Sequence, residues 1–191
     1  MSETGALLRS ALTRTLPPNV GIRAFVRDFG IPTGFQNGWI LITSASGLPV
    51  TGFVAYAETN AGGVAVVPPQ TEAQKDFLFS QIADLVPWFT GLALLNTNSV
   101  AANVNVFALN PNGTLIGKTA FSLQPRAKTA KLLSELILQT QSRSSDGGFV
   151  FVQSSEPLFA IELFFSRSLK ILSNVSAGKL LSGITFAQPS Q

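Results

Sequence analysis

Hydrophobic and polar residues alternate along much of this chain, in short runs separated by turn-forming residues. Residues 102–108 are the clearest case, because Val104 and Val106 fall on one face of a strand and Asn103 and Asn105 on the other. This run leads into an Asn-Pro-Asn-Gly turn and a second apolar run, which predicts a hairpin. Because such runs recur about every ten residues, the pattern indicates an all-β fold.

One segment departs from this alternation. Between residues 128 and 139 the apolar positions follow helical spacing, and the segment is rich in the helix formers Leu, Lys, Glu and Ala. We predict a short helix there that crosses from one sheet to the other. Residues 22–29 occupy the corresponding place earlier in the chain and are predicted to form a second short crossover.

The chain also repeats itself. The matching segments are 16–18 with 123–125, 25–29 with 132–136, 38–44 with 148–154, and 49–53 with 157–161. The step from Pro18 to Pro125 is 107 residues, which is the length of a small domain rather than of a solenoid repeat. We therefore predict two tandem, duplicated β-sandwich lobes of immunoglobulin-like type, at residues 1–70 and 71–179, each with a short helical crossover.

The ends of the chain do not coincide with the ends of this repeat. Residues 3–8 match the mid-domain pattern of 111–116, and residues 182–190 match 90–98. The first lobe is therefore predicted to be incomplete, and residues 180–191 to carry a spare strand. The candidate strand-complementation residues are Gly183, Ile184, Thr185, Phe186, Ala187 and Gln188. Three interpretations stay open: this strand closes its own lobe, it closes the lobe of another subunit, or the boundaries are those of a segment excised from a longer array.

Composition excludes several classes of protein. Hydrophobic residues make up 46% of the chain and charged residues 12%, against about 25% in an average globular protein, which argues against disorder. No apolar run approaches the ~20 residues that cross a bilayer, so no transmembrane segment is predicted. The net charge of +3 comes from loosely dispersed basic residues, and nucleic acid is therefore not a predicted partner. The first residues lack the basic start and apolar stretch of a signal peptide.

The chain contains no Cys and no His. Their absence excludes disulfides and thiolate nucleophiles, together with the commonest general base and metal ligand. Asp28 and Glu135 occupy equivalent positions of the repeat and are interpreted as caps or solvent-facing groups, while Glu162 is expected to pair with Arg167 or to point outward. We therefore predict that the protein is not an enzyme and has no cofactor and no metal site.

The aromatic residues leave one alternative function open. Trp88 stands beside Pro87 and ahead of a strand, where it is a candidate stacking platform for a sugar ring. Trp39 lies in an apolar strand, where core packing is the better interpretation. The alternative is therefore a carbohydrate-binding module with a polysaccharide partner.

Three segments carry a resemblance to a known group of proteins: residues 89–96, residues 132–136, and residues 38–44 followed by 49–53. They are similar to the tandem immunoglobulin-like β-sandwich repeats of bacterial secreted and cell-surface proteins. The resemblance implies a non-catalytic structural or adhesive module that is extracellular or at the cell surface. Its implied partners are other proteins or further copies of the chain, in an oligomer or filament that self-assembles by strand complementation.

Overall fold

The computed structural model describes residues 1–31, 37–57, 60–142 and 147–178. The strands in these ranges are β1 (Val54–Ala57), β2 (Val64–Val67), β3 (Gln74–Phe79), β4 (Trp88–Leu95), β5 (Ala102–Leu109), β6 (Leu115–Leu123), β7 (Lys128–Leu132), β8 (Phe149–Ser166) and β9 (Leu172–Val175). One short helix, α1, spans Leu133–Leu136, and single 3-10 turns span Val26–Phe29 and Leu138–Ser142. The all-β prediction is confirmed, and every strand pairing is antiparallel.

β8 organises the sandwich because it belongs to two sheets. Its first part, through Ser154, pairs with β5 on one edge and with β3 on the other. Its second part, from Phe159 to Ser166, pairs with β4, and residues 162–165 also pair with β9. Pro157 lies between the two parts, at an irregularity opposite β3, where a strand tolerates a residue without an N–H. The resulting sheets have the strand orders β6–β5–β8–β3 and β7–β4–β8–β9.

A single large core joins the two sheets. On β5, Val104 and Val106 are buried while Asn103 and Asn105 are exposed, which confirms the alternation read from the sequence. The buried side chains that the strands contribute to this core come from β3, β4, β5 and β8, and from the last residue of β6. Its fully buried large apolar members are Phe79, Ile82, Leu92, Leu94, Val104, Val106, Leu133, Ile137, Val150, Val152 and Leu158. This packing makes the sandwich the stable part of the chain.

The helical prediction for residues 128–139 is correct only in part. Lys128–Leu132 forms β7, which pairs along β4, and the helix is limited to Leu133–Leu136. The backbone of β4 offers a complete hydrogen-bonding edge to Lys128–Leu132, and pairing with that edge outweighs local helix propensity. In the earlier counterpart the described helical turn is the 3-10 turn Val26–Phe29, and no described strand precedes it.

Two complete, duplicated lobes are not confirmed. β3 to β9 form the sandwich within residues 74–175, whereas the described residues before β3 contribute the two-stranded sheet β1–β2. Residues 149–154 are a continuous part of β8, while in the matching segment Gly38 makes a single bridge to Ser2. The domain boundaries at 70 and 179 stay a prediction, and residues 183–188 lie outside the described ranges.

Candidate assembly surface

The β1–β2 hairpin carries an uncovered apolar surface. All four residues of β1 are exposed, whereas on β2 exposed Val64 and Val66 alternate with buried Ala65 and Val67. Phe53, just before β1, is 70% exposed. The exposed large apolar residues between positions 40 and 66 are Ile40, Leu41, Ile42, Leu48, Val50, Phe53, Val54, Tyr56, Val64 and Val66. Such a concentration of exposed apolar side chains is typical of an interaction surface.

This hairpin repeats the register of another hairpin in the chain. Residues 54–57 of β1 pair with residues 67–64 of β2, and residues 162–165 of β8 pair with residues 175–172 of β9. Every residue of the second hairpin lies 108 positions after its equivalent in the first. The two hairpins are therefore equivalent residue for residue, although their sequences differ.

Turns elsewhere repeat with the same spacing. In the turns at 2–6 and 110–114, the N–H of the first residue donates to the C=O of the fifth, and that of the fourth to the C=O of the first. These distances are 2.7 and 3.1 Å in the first turn and 2.8 Å for both bonds in the second. In the turns at 17–20 and 124–127, the third residue has a φ of +61° and +60° respectively, although neither is glycine. The backbone geometry is thus repeated at offsets of 107 and 108 residues.

The two acidic residues at equivalent positions act as caps, which is one of the two roles that the sequence left open. The N–H of Phe25 donates to Asp28 Oδ2 at 2.8 Å, and the N–H of Leu132 donates to Glu135 Oε2 at 2.8 Å. Each carboxylate thereby satisfies a backbone donor that the short helical turn leaves without an internal partner. Both side chains therefore have a structural task that explains their equivalence.

The two equivalent hairpins differ in what lies on their other edge. β8 pairs with β4 on the side away from β9, so that Leu92 lies opposite Glu162 and Leu94 opposite Ala160. Within the described ranges β1 pairs with β2 alone. Among the described residues, the edge of β1 that corresponds to the β4 side of β8 has no paired strand and is termed the free acceptor edge, and Val54 stands at the position equivalent to Glu162.

A polar contact anchors the start of the chain on the sandwich. Lys128 Nζ donates to Asn37 Oδ1 at 2.6 Å, and Asn37 Nδ2 donates to Glu3 Oε1 at 3.1 Å. Burial lowers the pKa of Lys128, and the nearby charge of Glu3 opposes that effect. Trp39 is half-buried at this contact, where its Nε1 donates to the C=O of Arg126 at 3.3 Å, rather than in a strand of the core as the sequence suggested.

Glu162 is the unusual acid of the sandwich. It is completely buried on β8, and within the described part of the chain neither carboxyl oxygen has a hydrogen-bond partner. Burial raises the pKa of Glu162 to about 9, so the group is uncharged at neutral pH. The expectation that it pairs with Arg167 or points outward is wrong, because it shares the inward face of β8 with Leu158 and Ala160. A carboxyl sealed in this way has no access to a substrate.

A second buried acid holds the fold together. Asp84 accepts the N–H of Thr90 at 3.2 Å through Oδ1 and the hydroxyl of Thr140 through Oδ2. Thr90 in turn accepts the N–H of Ala83 at 2.8 Å. These bonds join the β3–β4 connection to the 3-10 turn at Leu138–Ser142. The sequence gives no signal for them, because Asp84 and Thr140 lie far apart along the chain. In the ranges that the structure describes, no group of three or more acidic side chains is placed to hold a metal ion.

Trp88, the candidate carbohydrate platform, is half-buried at the beginning of β4. Its ring makes an edge-to-face contact with Phe164 of β8, with the ring centroids 6.1 Å apart. The contact gives Trp88 a packing role between neighbouring strands. Sugar binding at this residue stays a prediction.

No protein-family model matches the chain, and no curated protein matches its sequence. Among solved structures, the chain is similar to Thermotoga maritima 1070, at 11% identity and a TM-score of 0.48, covering 59% of this chain and 98% of that one. The Anabaena sensory rhodopsin transducer is similar at 12% identity and a TM-score of 0.41, covering 48% of this chain and 83% of that one. No helix in the described ranges is long and apolar enough to cross a membrane.

Proposed function

We propose that this chain is a non-catalytic structural or interaction module of a bacterial surface or extracellular assembly, and that it assembles by β-strand complementation. One observation carries the proposal. The β1–β2 hairpin has the register of β8–β9, yet the edge equivalent to the one that β4 occupies has no partner in the described ranges. The surface and extracellular setting rests on the sequence resemblance.

The proposal includes an internal duplication into two immunoglobulin-like lobes. The support for it is the recurrence of paired turns, caps and hairpins at offsets of 107 and 108 residues. An internal duplication accounts for the same hydrogen bonds recurring at two spacings that differ by one residue. The second lobe is the sandwich of β3 to β9, and the first, at residues 1–70, contributes the β1–β2 hairpin and the repeated turns, to which strand complementation adds a further strand.

The energetics favour such completion. An unpaired strand edge is a template for another strand, and exposed edges of this kind otherwise lead to aggregation. Each backbone hydrogen bond that forms contributes about 0.5–1.5 kcal/mol net. Burial of a fully exposed apolar side chain contributes about 1.5–3 kcal/mol more, and Val54, which is 39% exposed, has a fraction of that amount to gain. Because association also costs about 4–15 kcal/mol in translational and rotational freedom, the added strand must bury several side chains together with its backbone bonds.

The buried acids support the non-catalytic part of the proposal. Asp84 is engaged by Thr90 and Thr140, and Glu162 is sealed in the core. Asp28 and Glu135 cap short helical turns. Each of these four carboxyl groups is therefore either buried or bonded to the backbone or to a threonine. None of the four lines an open cleft together with a second acid.

The proposal is tested by sedimentation velocity of the full chain over a range of concentrations. We expect association that increases with concentration in the parent and is lost in Val54→Asp, because a charge at the acceptor edge opposes burial. Leu138→Asp is the matched control, since Leu138 is also highly exposed but lies on the sandwich, away from the hairpin. A parent that stays monomeric at every concentration contradicts the proposal, and so does equal loss of association in the control.

A further inference from the structure

We infer that the strand that completes the first lobe is residues 183–188 of a second copy of this chain, paired antiparallel with the free edge of β1 and with Ile184 opposite Val54. This inference rests on the proposed function, and it adds the donor, the acceptor and the register. Assembly of this kind joins the end of one copy to the hairpin of the next.

The donor is identified by the strand that it resembles. Residues 183–188 match residues 91–96, which belong to β4 and the residue that follows it. β4 is the strand that pairs with β8 on the side away from β9. Because β1 is the equivalent of β8, a strand that resembles β4 fits the free edge of β1.

The register follows from the two spacings. Leu92 lies opposite Glu162 in the sandwich, and these residues correspond to Ile184 and Val54. In the same way, Leu94 opposite Ala160 predicts Phe186 opposite Gly52, so the complete pairing is antiparallel. A shift of one residue would turn Ile184 and Phe186 to the other face of the strand.

The chemistry of the acceptor suits this donor. Leu92 and Leu94 are buried in the core, so Ile184 and Phe186 would bring the two matching apolar side chains. The buried carboxyl of Glu162 is replaced by the apolar Val54, which is still 39% exposed. The acceptor position is therefore more hydrophobic than the site on β8 that it resembles.

The described chain ends close to the hairpin. The N–H of Gly178, the last described residue, donates to the C=O of Leu78 at 2.7 Å beside β3. Ala177 borders the same cleft as Val67 of β2, which pairs with Val54. The extent of the exposed surface on the hairpin is therefore what favours a second copy as the donor.

A second copy also accounts for the extent of the exposed surface. The exposed apolar residues of the hairpin point to both of its faces, and one strand covers an edge rather than two faces. A neighbouring copy brings its own body together with the donor strand. The contact joins two different surfaces, so repeated contacts produce a ring or an open filament.

The absence of cysteine from the chain makes cross-linking a direct test. A tagged Val54→Cys protein is mixed with an untagged Ile184→Cys protein under mild oxidation, and the mixed disulfide is measured on non-reducing gels. Directly opposed residues in paired strands are close enough for a disulfide, whereas neighbouring residues point to opposite faces. We expect a mixed product several-fold more abundant than that from Thr185→Cys, which is the matched control.

Each outcome bears on the inference in a defined way. A mixed disulfide at Ile184 supports it, and equal products at Ile184 and Thr185 overturn the register. A disulfide that forms only within the doubly substituted Val54→Cys, Ile184→Cys chain overturns the second copy. Association of the parent without any Val54–Ile184 disulfide overturns the inference while the proposed function stands. A parent that never associates overturns both.

Discussion

Glu162 and Val54 occupy equivalent positions in two hairpins of the same register, but their surroundings differ. Glu162 is enclosed by both sheets, whereas Val54 has an open edge beside it. A buried carboxyl without a partner is costly when ionised, so the folded state retains its proton. Burial of Glu162 in the sandwich therefore makes the free energy of unfolding depend on pH. The exposure of Val54 in the hairpin leaves an apolar side chain that a partner can cover.

The pH dependence of unfolding should report on Glu162. Its pKa is about 9 in the folded chain and about 4.5 when unperturbed, so the unfolded state loses the proton first. As far as Glu162 is concerned, the free energy of unfolding is therefore highest below pH 4.5. It falls as the pH rises towards 9, with a slope that approaches about 1.4 kcal/mol per pH unit. Urea unfolding of Glu162→Gln should lose this slope, because the amide cannot ionise. The exposed Glu72→Gln is the control, and an unchanged slope in Glu162→Gln would contradict the assignment.

Trp88 separates a packing role from a carbohydrate role. Trp88→Ala removes the contact with Phe164 and should lower the free energy of unfolding by about 1–3 kcal/mol, less than for a fully buried tryptophan. If the carbohydrate hypothesis is correct, immobilised polysaccharides should retain the parent and Trp39→Ala but release Trp88→Ala. Failure of every polysaccharide to retain the parent would leave Trp88 as a packing residue alone.

Among the elements, β8 has the greatest structural effect. It pairs with β5 before Pro157 and with β4 and β9 after it, and β3 pairs on both sides of Pro157, so one strand joins both sheets. β1 repeats the end of β8 but lacks an equivalent of β4 in the described ranges. At these two equivalent hairpins, the described difference is therefore the strand that lies beside β8 and not beside β1.

Deletion of residues 182–191 should affect assembly and leave the sandwich folded. The core of β3 to β9 is made by residues before 178, so its thermal transition should persist in the deletion variant. The concentration-dependent part of stability should disappear, because the donor strand is removed. Calorimetry and sedimentation measure the two effects separately. A variant with residues 183–188 scrambled is the control for composition, and undiminished association in either variant would contradict the role of this segment.

For the whole molecule, association of this kind links stability to concentration. A partner that binds only the folded hairpin stabilises it in proportion to the logarithm of its concentration. Head-to-tail contacts do not close on themselves unless the geometry forms a ring. We therefore expect a broad distribution of species rather than one dimer, which distinguishes this assembly from a symmetric pair.

The repeat that is visible in the sequence ends directly before β1 and does not include the β1–β2 hairpin. Residues 49–53 were matched to 157–161 at an offset of 108, and four more residues at the same offset reach β1 and the end of β8. Residues 54–57 and 162–165 have different side chains, so a comparison of the two sequences does not show that these segments are equivalent. Only the shared backbone register showed that the two hairpins are equivalent.

The sequence by itself determined the features that depend on neighbouring residues. The alternation on β5, the turn at 110–114, and the caps at Asp28 and Glu135 all follow from local hydrogen bonding and side-chain spacing. The repeat near 107 residues was also visible, because it needs only comparison of the chain with itself.

Tertiary structure alone decided the features that depend on distant residues. Lys128–Leu132 became a strand because β4 supplied an edge, and Glu162 became buried because two sheets closed over its side of β8. The open edge of β1 was decided in the same way, by which strands lie beside it. Strand pairing joins residues far apart in sequence, and its free energy depends on partners that no local pattern specifies.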